Sequence, residues 1–375
     1  MLAAQTPERG AIPRVPRAQR RLLRLIHSFT SPLAPDDYIE LLNPLWSTRE
    51  LRGRVERITR EAPDAVTLLI KPAWEWPGHV AGQYVRLGVE IDGVLHWRAY
   101  SLTSAPDRAD GCIAITPKLV EEGAVSPFLN RRLRPGAIVR LGGVEGTFVL
   151  PDPVPERLLF ISAGSGITPI ASMLRSLHSD RGARAPGLRD VVHVHCSRTR
   201  DGVVFANELT ALDAAANGYS LHLRITSEQG RLSPNELESL CADWREREAF
   251  LCGPPGLIEA ISAHWRDHGE RARLHLERFT AEAVGEGERG CGGTIRLLRS
   301  GIDARSNGEQ PILAAGESAG AQLPFGCRMG ICRSCVGRLC AGRVRDLRTG
   351  RVHGQPGEMV QTCLNAPEGA IEIDL

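Results

Sequence analysis

The spacing of the cysteines near the end of the chain is the feature that most restricts what this sequence can fold into. Half of the ten cysteines are crowded there, at Cys327, Cys332, Cys335, Cys340 and Cys363. The first three follow the pattern C-x4-C-x2-C. A cytosolic chain keeps its thiols reduced, so cysteines crowded in this way indicate a metal site rather than disulfides.

This spacing is typical of a plant-type 2Fe-2S site, in which two tetrahedral irons require four thiolates. The predicted ligands are Cys327, Cys332, Cys335 and Cys363. Gly326 and Gly330 allow the loop backbone to approach and to donate N–H groups to sulfur. A zinc site is the alternative, although zinc ribbons favour paired C-x2-C knuckles. Cys340 fits no ligand position and is predicted to be a packing residue.

Composition limits the class of protein. At 375 residues the chain is long enough for two or three domains with separate cores. The formal net charge of +2 gives no general attraction to nucleic acid. The sequence has no apolar run of about 18 residues and no apolar stretch after its N-terminal charges. We therefore expect a cytoplasmic protein with no nucleic-acid partner and no membrane span.

Residues 1–48 are predicted to form a basic extension rather than a domain. They are rich in Pro and Arg, and the segment 17–29 is a candidate basic amphipathic helix. Such a helix suits peripheral contact with an anionic membrane surface, here the inner face of the membrane, or with an acidic partner. The alternative is a loosely packed arm that covers a neighbouring domain.

Residues 49–153 predict an antiparallel β-barrel. Short strand-like runs are separated by Gly, Pro and Asp turns at the spacing typical of barrels and sandwiches. A helix predicted at 126–133 interrupts the run. The predicted strands cover 52–58, 65–70, 83–89, 97–101, 113–117 and 138–141.

Residues 154–280 predict a doubly wound α/β domain, because strands and helices alternate there. The predicted strands cover 157–162, 191–196, 219–226 and 249–252, and the predicted helices cover 169–177, 205–215, 234–240 and 255–268. Residues 281–292 are rich in glycine and charge, which suits a flexible linker. Residues 293–375 form a small, Gly-rich unit that carries the clustered cysteines.

An Arg-x-Tyr-Ser sequence, Arg98 to Ser101, lies on a predicted barrel strand, and small residues from Gly123 to Ser126 open the predicted helix. A helix N-terminus with small residues suits a pyrophosphate. In this arrangement Arg98 neutralises phosphate and Tyr100 lies against a flavin ring. The Ser101 hydroxyl would hydrogen-bond the redox-active edge of that ring.

A second glycine loop, Gly164 to Pro169, joins a buried strand to a helix, and Cys252-Gly253-Pro254 follows a later strand. Both lie where parallel sheets bind ligands, at the carboxyl ends of the strands. Glycines in the first loop allow close approach of a phosphate to the helix N-terminus.

In this order the motifs resemble the ferredoxin–NADP reductase superfamily over about residues 50–280. Residues 293–375 resemble a plant-type ferredoxin domain, which has an α+β β-grasp fold. The resemblance implies FAD, because the 123–126 loop is present to hold a second phosphate.

The same resemblance implies that Thr168 and Cys252 border the nicotinamide and that Glu277 and Phe279 lie by the flavin ring. The predicted catalytic residues are Ser101, Cys252 and Glu277. The predicted cofactor-binding residues are Arg98, Ala99, Tyr100, Ser101, Thr116, Lys118, Gly123, Val125, Ser126, Gly164, Ser165, Gly166, Thr168, Pro169, Ser197, Arg198, Arg231, Cys252, Gly253, Pro254 and Phe279.

Ser197 and Arg198 follow the second strand of the parallel sheet, with Arg200 nearby and Arg231 further on. Basic residues there suit a 2′-phosphate, whereas an acidic residue would select the free ribose hydroxyl. NADPH is therefore the expected nucleotide, with NADH and solvated surface arginines as the alternative.

The domain order predicts an electron path from NADPH to the flavin, from the flavin to the cluster, and from the cluster to a partner. The arrangement resembles reductase components of multicomponent oxygenases, hydroxylases and desaturases. Segments 32–38 and 43–46 resemble bacterial reductases that feed membrane-bound fatty acyl desaturases, which implies a desaturase partner. The alternatives are a soluble ring-hydroxylating or CoA-thioester oxygenase and a redox sensor that does not turn over.

His193 and His195 alternate along one predicted strand and are a possible metal pair. Core or surface imidazoles are the preferred interpretation.

Overall fold

The computed structural model describes residues 43–47, 49–178, 190–215, 218–279, 290–326, 330 and 333–375. The predicted helix at 17–29 and the linker residues 281–289 lie outside the described residues. No helix in the part that is described is long and apolar enough to cross a membrane.

The first domain is an antiparallel barrel, as predicted. Its strands are β1 (Leu51–Ala62), β2 (Ala65–Pro72), β3 (Tyr84–Ile91), β4 (Val94–Ser101), β5 (Ile113–Ile115) and β6 (Ile138–Glu145). The strand order is β4-β3-β6-β1-β2-β5. A bridge between Leu102 and Ile115 joins the two edges, so the sheet closes on itself.

The predicted barrel helix is present but less regular than expected. Helix α1 (Val125–Pro127) continues as a π-helical turn, Phe128–Arg132. Val125, Leu129 and Leu133 are buried in the barrel core among the inward side chains of the strands. The segment therefore caps the barrel.

The second domain is the predicted doubly wound α/β fold. Its parallel strands are β7 (Arg157–Ala163), β8 (Asp190–Ser197), β9 (Tyr219–Ile225), β10 (Glu248–Cys252) and β11 (Leu274–Glu277), in the order β11-β10-β7-β8-β9. Its helices are α2 (Ile167–His178), α3 (Ala206–Ala214), α4 (Thr226–Gln229), α5 (Pro234–Leu240) and α6 (Pro255–Asp267). Helix α4 and strand β11 were not predicted; β9 ends at Ile225 because Thr226 begins α4.

Both faces of this sheet are covered, which explains the continuous apolar run of β7. Phe160 packs on one face with residues of the barrel such as Ala62 and Phe148. Leu159 and Ile161 pack on the other face against α6. The barrel and the nucleotide domain thus share one core cluster.

Polar contacts also join these two domains. Ser172 of α2 donates its hydroxyl to the carbonyl of Ser104 at 2.7 Å. The Arg175 guanidinium donates to the Thr103 carbonyl and pairs with Glu208 at the start of α3. These bonds fix the orientation of α2 relative to the barrel.

The third domain combines a mixed five-stranded sheet, ordered β13-β12-β19-β14-β17, with one short helix, as a β-grasp fold requires. A small sheet, β16-β15-β18, lies beside it. The elements are β12 (Gly293–Leu297), β13 (Ile302–Ser306), α7 (Ile312–Ser318), β14 (Val336–Ala341), β15 (Val344–Asp346), β16 (Val352–His353), β17 (Met359–Gln361), β18 (Asn365–Pro367) and β19 (Ile371–Asp374).

Arg247 closes the end of the parallel sheet that lies away from the glycine loop. Its side chain is 6% exposed and bonds Asp190 at 2.8 Å and Asp243 at 2.7 Å. We expect Arg247→Ala to lower the free energy of unfolding of this domain by about 2 kcal/mol, because charge-assisted hydrogen bonds from a buried guanidinium to two partly exposed carboxylates are lost. Urea unfolding followed by tryptophan fluorescence measures it, since Trp244 and Trp265 lie in this domain.

Arg157→Ala is the matched control, because Arg157 also contacts Asp243 but is 49% exposed. Its expected effect is below about 1 kcal/mol. Equal losses of unfolding free energy in the two variants would contradict the role given to the buried Arg247 guanidinium.

Candidate flavin, nucleotide and cluster sites

A cavity of about 340 Å³ lies between the barrel and the carboxyl edge of the parallel sheet. Strand β4 supplies one wall through Ala99, Tyr100 and Ser101, and the glycine loop supplies another. The residues that line it are Tyr84, Ala99, Tyr100, Ser101, Thr116, Pro117, Lys118, Leu119, Val120, Ser165, Thr168, Glu277 and Phe279. Seven of the predicted residues on the flavin side therefore converge, together with Ser165 and Thr168 of the loop.

The polar groups of this cavity are held by the barrel. Ser101 is buried and pairs with Tyr84 across β3 and β4. The Thr116 hydroxyl lies 2.9 Å from that of Thr67 and 3.3 Å from that of Thr103. Burial raises the pKa of the Tyr100 hydroxyl, so this side chain remains neutral. The barrel therefore supplies uncharged hydroxyl groups to the cavity, which the Lys118 side chain also lines.

Glu277 is the acidic group in this cavity. Burial raises the pKa of its carboxyl to about 7. It lies opposite Cys252 in the pairing of β11 with β10, and Cys252 lies opposite Ser162 of β7. Burial, with the nearby Glu277 charge, raises the pKa of the Cys252 thiol well above its usual range, so the thiol is neutral.

The predicted role of Cys252 at the nicotinamide needs adjustment. Its side chain is fully buried and is not among the described residues that line either cavity. A Cβ on Gly166 would lie 2.0 Å from the Cys252 carbonyl oxygen, so the two backbones are in contact. The Cys252 backbone thus contacts the glycine loop. The catalytic role of Cys252 stays a prediction.

A second cavity, of about 700 Å³, lies at the carboxyl ends of β7, β8 and β10. Arg198 and Arg231 contribute the positive groups expected for a phosphate site. The residues that line it are Asp64, Lys118, Ala163, Gly164, Cys196, Ser197, Arg198, Thr199, Gly202, Thr226, Arg231, Leu232, Pro254, Gly256 and Leu257. The predicted residues Gly164, Ser197, Arg198, Arg231 and Pro254 are thereby brought together.

The two cavities are adjacent. Lys118 lines both of them and forms an ion pair with Asp64 at 3.2 Å. Gly164 lines the larger cavity and its neighbour Ser165 the smaller one. A ligand in one cavity would therefore lie next to a ligand in the other.

The glycine loop has the geometry this requires. Gly164 has a φ of 55°, a region that favours glycine, and the 3-10 turn Gly164–Gly166 leads into α2. The Thr168 hydroxyl donates to the Ser165 carbonyl at 2.8 Å. Pro169 is buried at the start of α2, and Gly253 packs against Ala163 and Leu257.

Other predicted residues point elsewhere. Arg200 forms an ion pair with Glu228 of α4 at 2.7 Å and is 73% exposed, outside the cavity that Arg198 lines. Arg98 donates to the Trp97 carbonyl at 2.8 Å. Among the described residues that line the smaller cavity, Arg98 is not included.

The side chains of Val125 and Ser126 contact the barrel and are not among the described residues that line the smaller cavity. Val125 is buried in the barrel core, and the Ser126 hydroxyl accepts from the Val120 amide at 3.0 Å and donates to the Val120 carbonyl. Val120 lines the cavity in its place. Contact between the 123–126 backbone and a phosphate stays a prediction.

The third domain holds two of the predicted cluster ligands in its interior. Cys335 and Cys363 are 1% and 4% exposed, and Cys327 and Cys332 lie outside the described residues. The Gly330 amide donates to the Cys363 sulfur at 3.2 Å. A Cβ on Gly330 would lie 1.9 Å from Leu364, so only glycine fits.

These residues suit a 2Fe-2S cluster, because thiolates held by backbone N–H groups are its usual ligands. Cys340 is half-buried, and its sulfur donates to the Arg338 carbonyl at 3.6 Å, which agrees with a packing role.

His193 and His195 are core residues rather than a metal pair. The Ser162 hydroxyl lies 2.9 Å from Nε2 of His193 and 2.7 Å from Nδ1 of His195. Tyr219 contacts Nδ1 of His193 at 2.7 Å. Burial and the charge of Lys118 lower the pKa of His195 to about 4, so it is neutral at pH 7.

Sequence reasoning missed several lining residues, among them Tyr84, Asp64 and Leu232. Tyr84 lies on β3, Asp64 lies in the turn between β1 and β2, and Leu232 directly follows the predicted Arg231. Tyr84 pairs with the predicted Ser101, and Asp64 forms an ion pair with the predicted Lys118.

Family models match each domain. The oxidoreductase FAD-binding domain matches residues 67–150, the oxidoreductase NAD-binding domain 160–263, and the 2Fe-2S iron-sulfur cluster binding domain 295–367. A curated protein of Mycobacterium tuberculosis, named NADPH oxidoreductase, is 46% identical and covers 94% of this chain and 92% of its own. The chain belongs to the ferredoxin–NADP reductase superfamily. It is an NAD(P)H-dependent flavoprotein oxidoreductase with a fused C-terminal 2Fe-2S domain.

Other members of the superfamily match over most of the chain. The stachydrine N-demethylase reductase subunit of Rhizobium meliloti is 30% identical and covers 88% of this chain and 97% of its own. The fold of phthalate dioxygenase reductase matches with a TM-score of 0.58 and 22% identity, over 87% of this chain and 98% of that one. The chain thus shares the three-domain architecture of phthalate dioxygenase reductase.

The raised pKa of Glu277 makes stability depend on pH. The folded carboxyl, with a pKa of about 7 against the usual 4.5, binds its proton more tightly than the unfolded one. Stability therefore falls as pH rises between these values. We expect the wild-type chain to lose roughly 1 to 2 kcal/mol relative to Glu277→Gln between about pH 5.5 and about pH 8.

Urea unfolding at the two pH values checks this expectation. Glu259→Gln, an exposed position on α6, is the control and should follow the wild type. Parallel pH curves for Glu277→Gln and the wild type would show that the carboxyl is not perturbed.

Proposed function

We propose that this reductase oxidises NADPH and delivers electrons singly, through its 2Fe-2S domain, to an oxygen-activating iron enzyme. The observation that carries the proposal is the adjacency of the two cavities at Lys118 and the Gly164–Ser165 step. Two predicted cluster ligands, Cys335 and Cys363, are buried in the same chain and supply the site from which electrons leave it.

Bound FAD would supply two-electron uptake from NADPH and one-electron release, and the cluster would supply one-electron transfer. The chain positions these groups. Ser101, Thr116 and Thr168 offer fixed hydroxyls around the smaller cavity, and Glu277 holds a proton there near neutral pH. Lys118 places a positive charge between the two cavities.

We propose NADPH as the nucleotide because Arg198 and Arg231 line the larger cavity. The carboxylate that also lines it, Asp64, is paired with Lys118, so it does not compete with a 2′-phosphate for the arginines. These two guanidinium groups suit the 2′-phosphate that distinguishes NADPH from NADH.

The Arg198→Ala variant tests the nucleotide choice. Loss of one charge-assisted bond should raise KM for NADPH about tenfold to a hundredfold, with kcat and KM for NADH little changed. Arg200→Ala is the matched control, because Arg200 pairs with Glu228 outside the cavity. An equal rise in KM for both nucleotides, or an effect of Arg200→Ala as large, would contradict the assignment.

The cluster domain is tested with its cysteines. Cys363→Ser should abolish the 2Fe-2S absorbance and lower NADPH-dependent cytochrome c reduction at least about tenfold, while NADPH still bleaches the flavin. Cys340→Ser, in the same domain but outside the ligand set, should retain both. Full cytochrome c reduction by Cys363→Ser would show that electrons leave from the flavin rather than from the cluster. Slow reduction by the wild type would favour a redox sensor.

Among possible acceptors, an oxygenase has the wider support. Two relatives are named as reductase subunits of such systems. One is the reductase subunit of stachydrine N-demethylase. The other is the glycine betaine monooxygenase reductase subunit of Pseudomonas aeruginosa, which is 29% identical over 78% of this chain. The second candidate is a membrane-bound fatty acyl desaturase. It rests on segments 32–38 and 43–46 and on the basic extension.

The two acceptors differ in whether delivery needs a membrane. With a desaturase partner, the full chain should sediment with anionic phospholipid vesicles, and removal of residues 1–48 should release it. With a soluble oxygenase partner, the full chain should stay in the supernatant. Retention on vesicles without the extension would contradict the role given to the basic arm.

A further inference from the structure

A cluster of metal-binding side chains lies on the nucleotide domain, separate from the residues that line the two cavities. Glu238 of α5 and His264 and His268 at the end of α6 each offer one donor atom, and these atoms all lie within 4.8 Å of one another. Nε2 of His264 is 3.0 Å from a carboxylate oxygen of Glu238. Neither the flavin path nor the nucleotide site uses these residues.

The helix places the two imidazoles side by side. His264 and His268 are four residues apart, so they share one face of α6, and their ring centroids are 4.4 Å apart. Two histidines at this spacing on a helix are an established way to hold a divalent metal ion.

The hydrogen bonding of His268 already suits metal binding. Nδ1 of His268 lies 2.8 Å from the His264 carbonyl, to which it donates, and this leaves Nε2 with its lone pair as the outward donor. Metal-binding histidines are commonly set in this way, with the second ring nitrogen bonded to a backbone carbonyl. The ring of Trp244 backs both imidazoles, at 4.9 Å from His264 and 5.5 Å from His268.

From this geometry we propose that Glu238, His264 and His268 bind a Zn²⁺ ion. Two imidazoles and a carboxylate are a common zinc set, with water in the fourth position. Tetrahedral ligands at zinc bond lengths lie roughly 3.3 Å apart, so only a modest rotation of the outer side chains is needed. His268 is exposed and the Glu238 side chain is 39% exposed, so both can make that rotation. Hard cations such as Mg²⁺ prefer all-oxygen sites and should not bind here.

The position of the ion indicates a structural role. Helix α5 follows Arg231 and Leu232, and α6 follows Pro254, all of which line the larger cavity. A metal that bridges α5 and α6 would tie together two helices that begin at the nucleotide cavity. Because an ion that binds only the folded state stabilises it, Zn²⁺ should raise the unfolding temperature.

The test is calorimetric titration of the tag-free holoprotein with ZnCl₂, together with thermal unfolding with and without the ion. We expect one saturable site, a rise in Tm with ZnCl₂ and none with MgCl₂. His268→Ala and Glu238→Gln should each weaken binding at least about tenfold and remove the rise in Tm.

His178→Ala is the matched control. His178 is also exposed in the last turn of a helix and bonded to the carbonyl four residues before it, at 2.7 Å, but it lies outside this cluster. It should bind Zn²⁺ as the wild type does. Unchanged binding in His268→Ala and Glu238→Gln, absence of saturable binding, or loss of 2Fe-2S absorbance on titration would each overturn the proposal.

Discussion

The backbone contact between Gly166 and Cys252 is the constraint on which the rest of the reductase site depends. A Cβ at Gly166 would lie 2.0 Å from the Cys252 carbonyl oxygen, so the loop after β7 can lie against the end of β10 only because it carries glycine. The chain crosses from one side of the sheet to the other between these two strands, where doubly wound sheets bind ligands. The contact places Ser165 and Thr168 under the barrel and leaves Gly164 open to the nucleotide cavity.

The positively charged side chains around this contact lie between the two cavities and at the nucleotide end. Lys118 is positioned by Asp64 between the two cavities, and Arg198 and Arg231 lie at the nucleotide end. On the flavin side burial keeps the Tyr100 hydroxyl neutral and raises the pKa of the Glu277 carboxyl to about 7. A mainly uncharged ring pocket next to a pocket with two guanidinium groups matches the charge pattern of a flavin next to a pyridine nucleotide.

Much of this could be predicted from the sequence because the decisive features are local. The cysteine spacing, the glycine loop after a continuous apolar strand and the alternation of strands with helices each report on a short segment. Domain types and the Arg98–Ser101 strand followed directly. Sequence could not show which local partner a side chain takes. Arg200 turned to Glu228 of α4, a helix too short to predict, while Arg198 two residues earlier faces the cavity.

Residues brought together by topology alone were also beyond sequence reasoning. Tyr84 reaches the site as the cross-strand neighbour of Ser101, Asp64 reaches it in the turn between β1 and β2, and no periodicity marks either residue. The Ser126 hydroxyl, predicted at a phosphate site, bonds the Val120 backbone at the start of a helix that is one turn long before its π-helical turn, and its contact with a phosphate stays a prediction. Short-range hydrogen bonds of this kind compete with ligand contacts and leave no trace in a motif.

The central claim is that electrons from NADPH reach the cluster within one chain. Anaerobic titration of the purified holoprotein with NADPH, followed by absorbance and low-temperature EPR, tests it most directly. The account predicts bleaching of the flavin absorbance followed by the rhombic EPR signal of a reduced 2Fe-2S cluster. Flavin bleaching with no cluster signal, or no reduction at all, would contradict it.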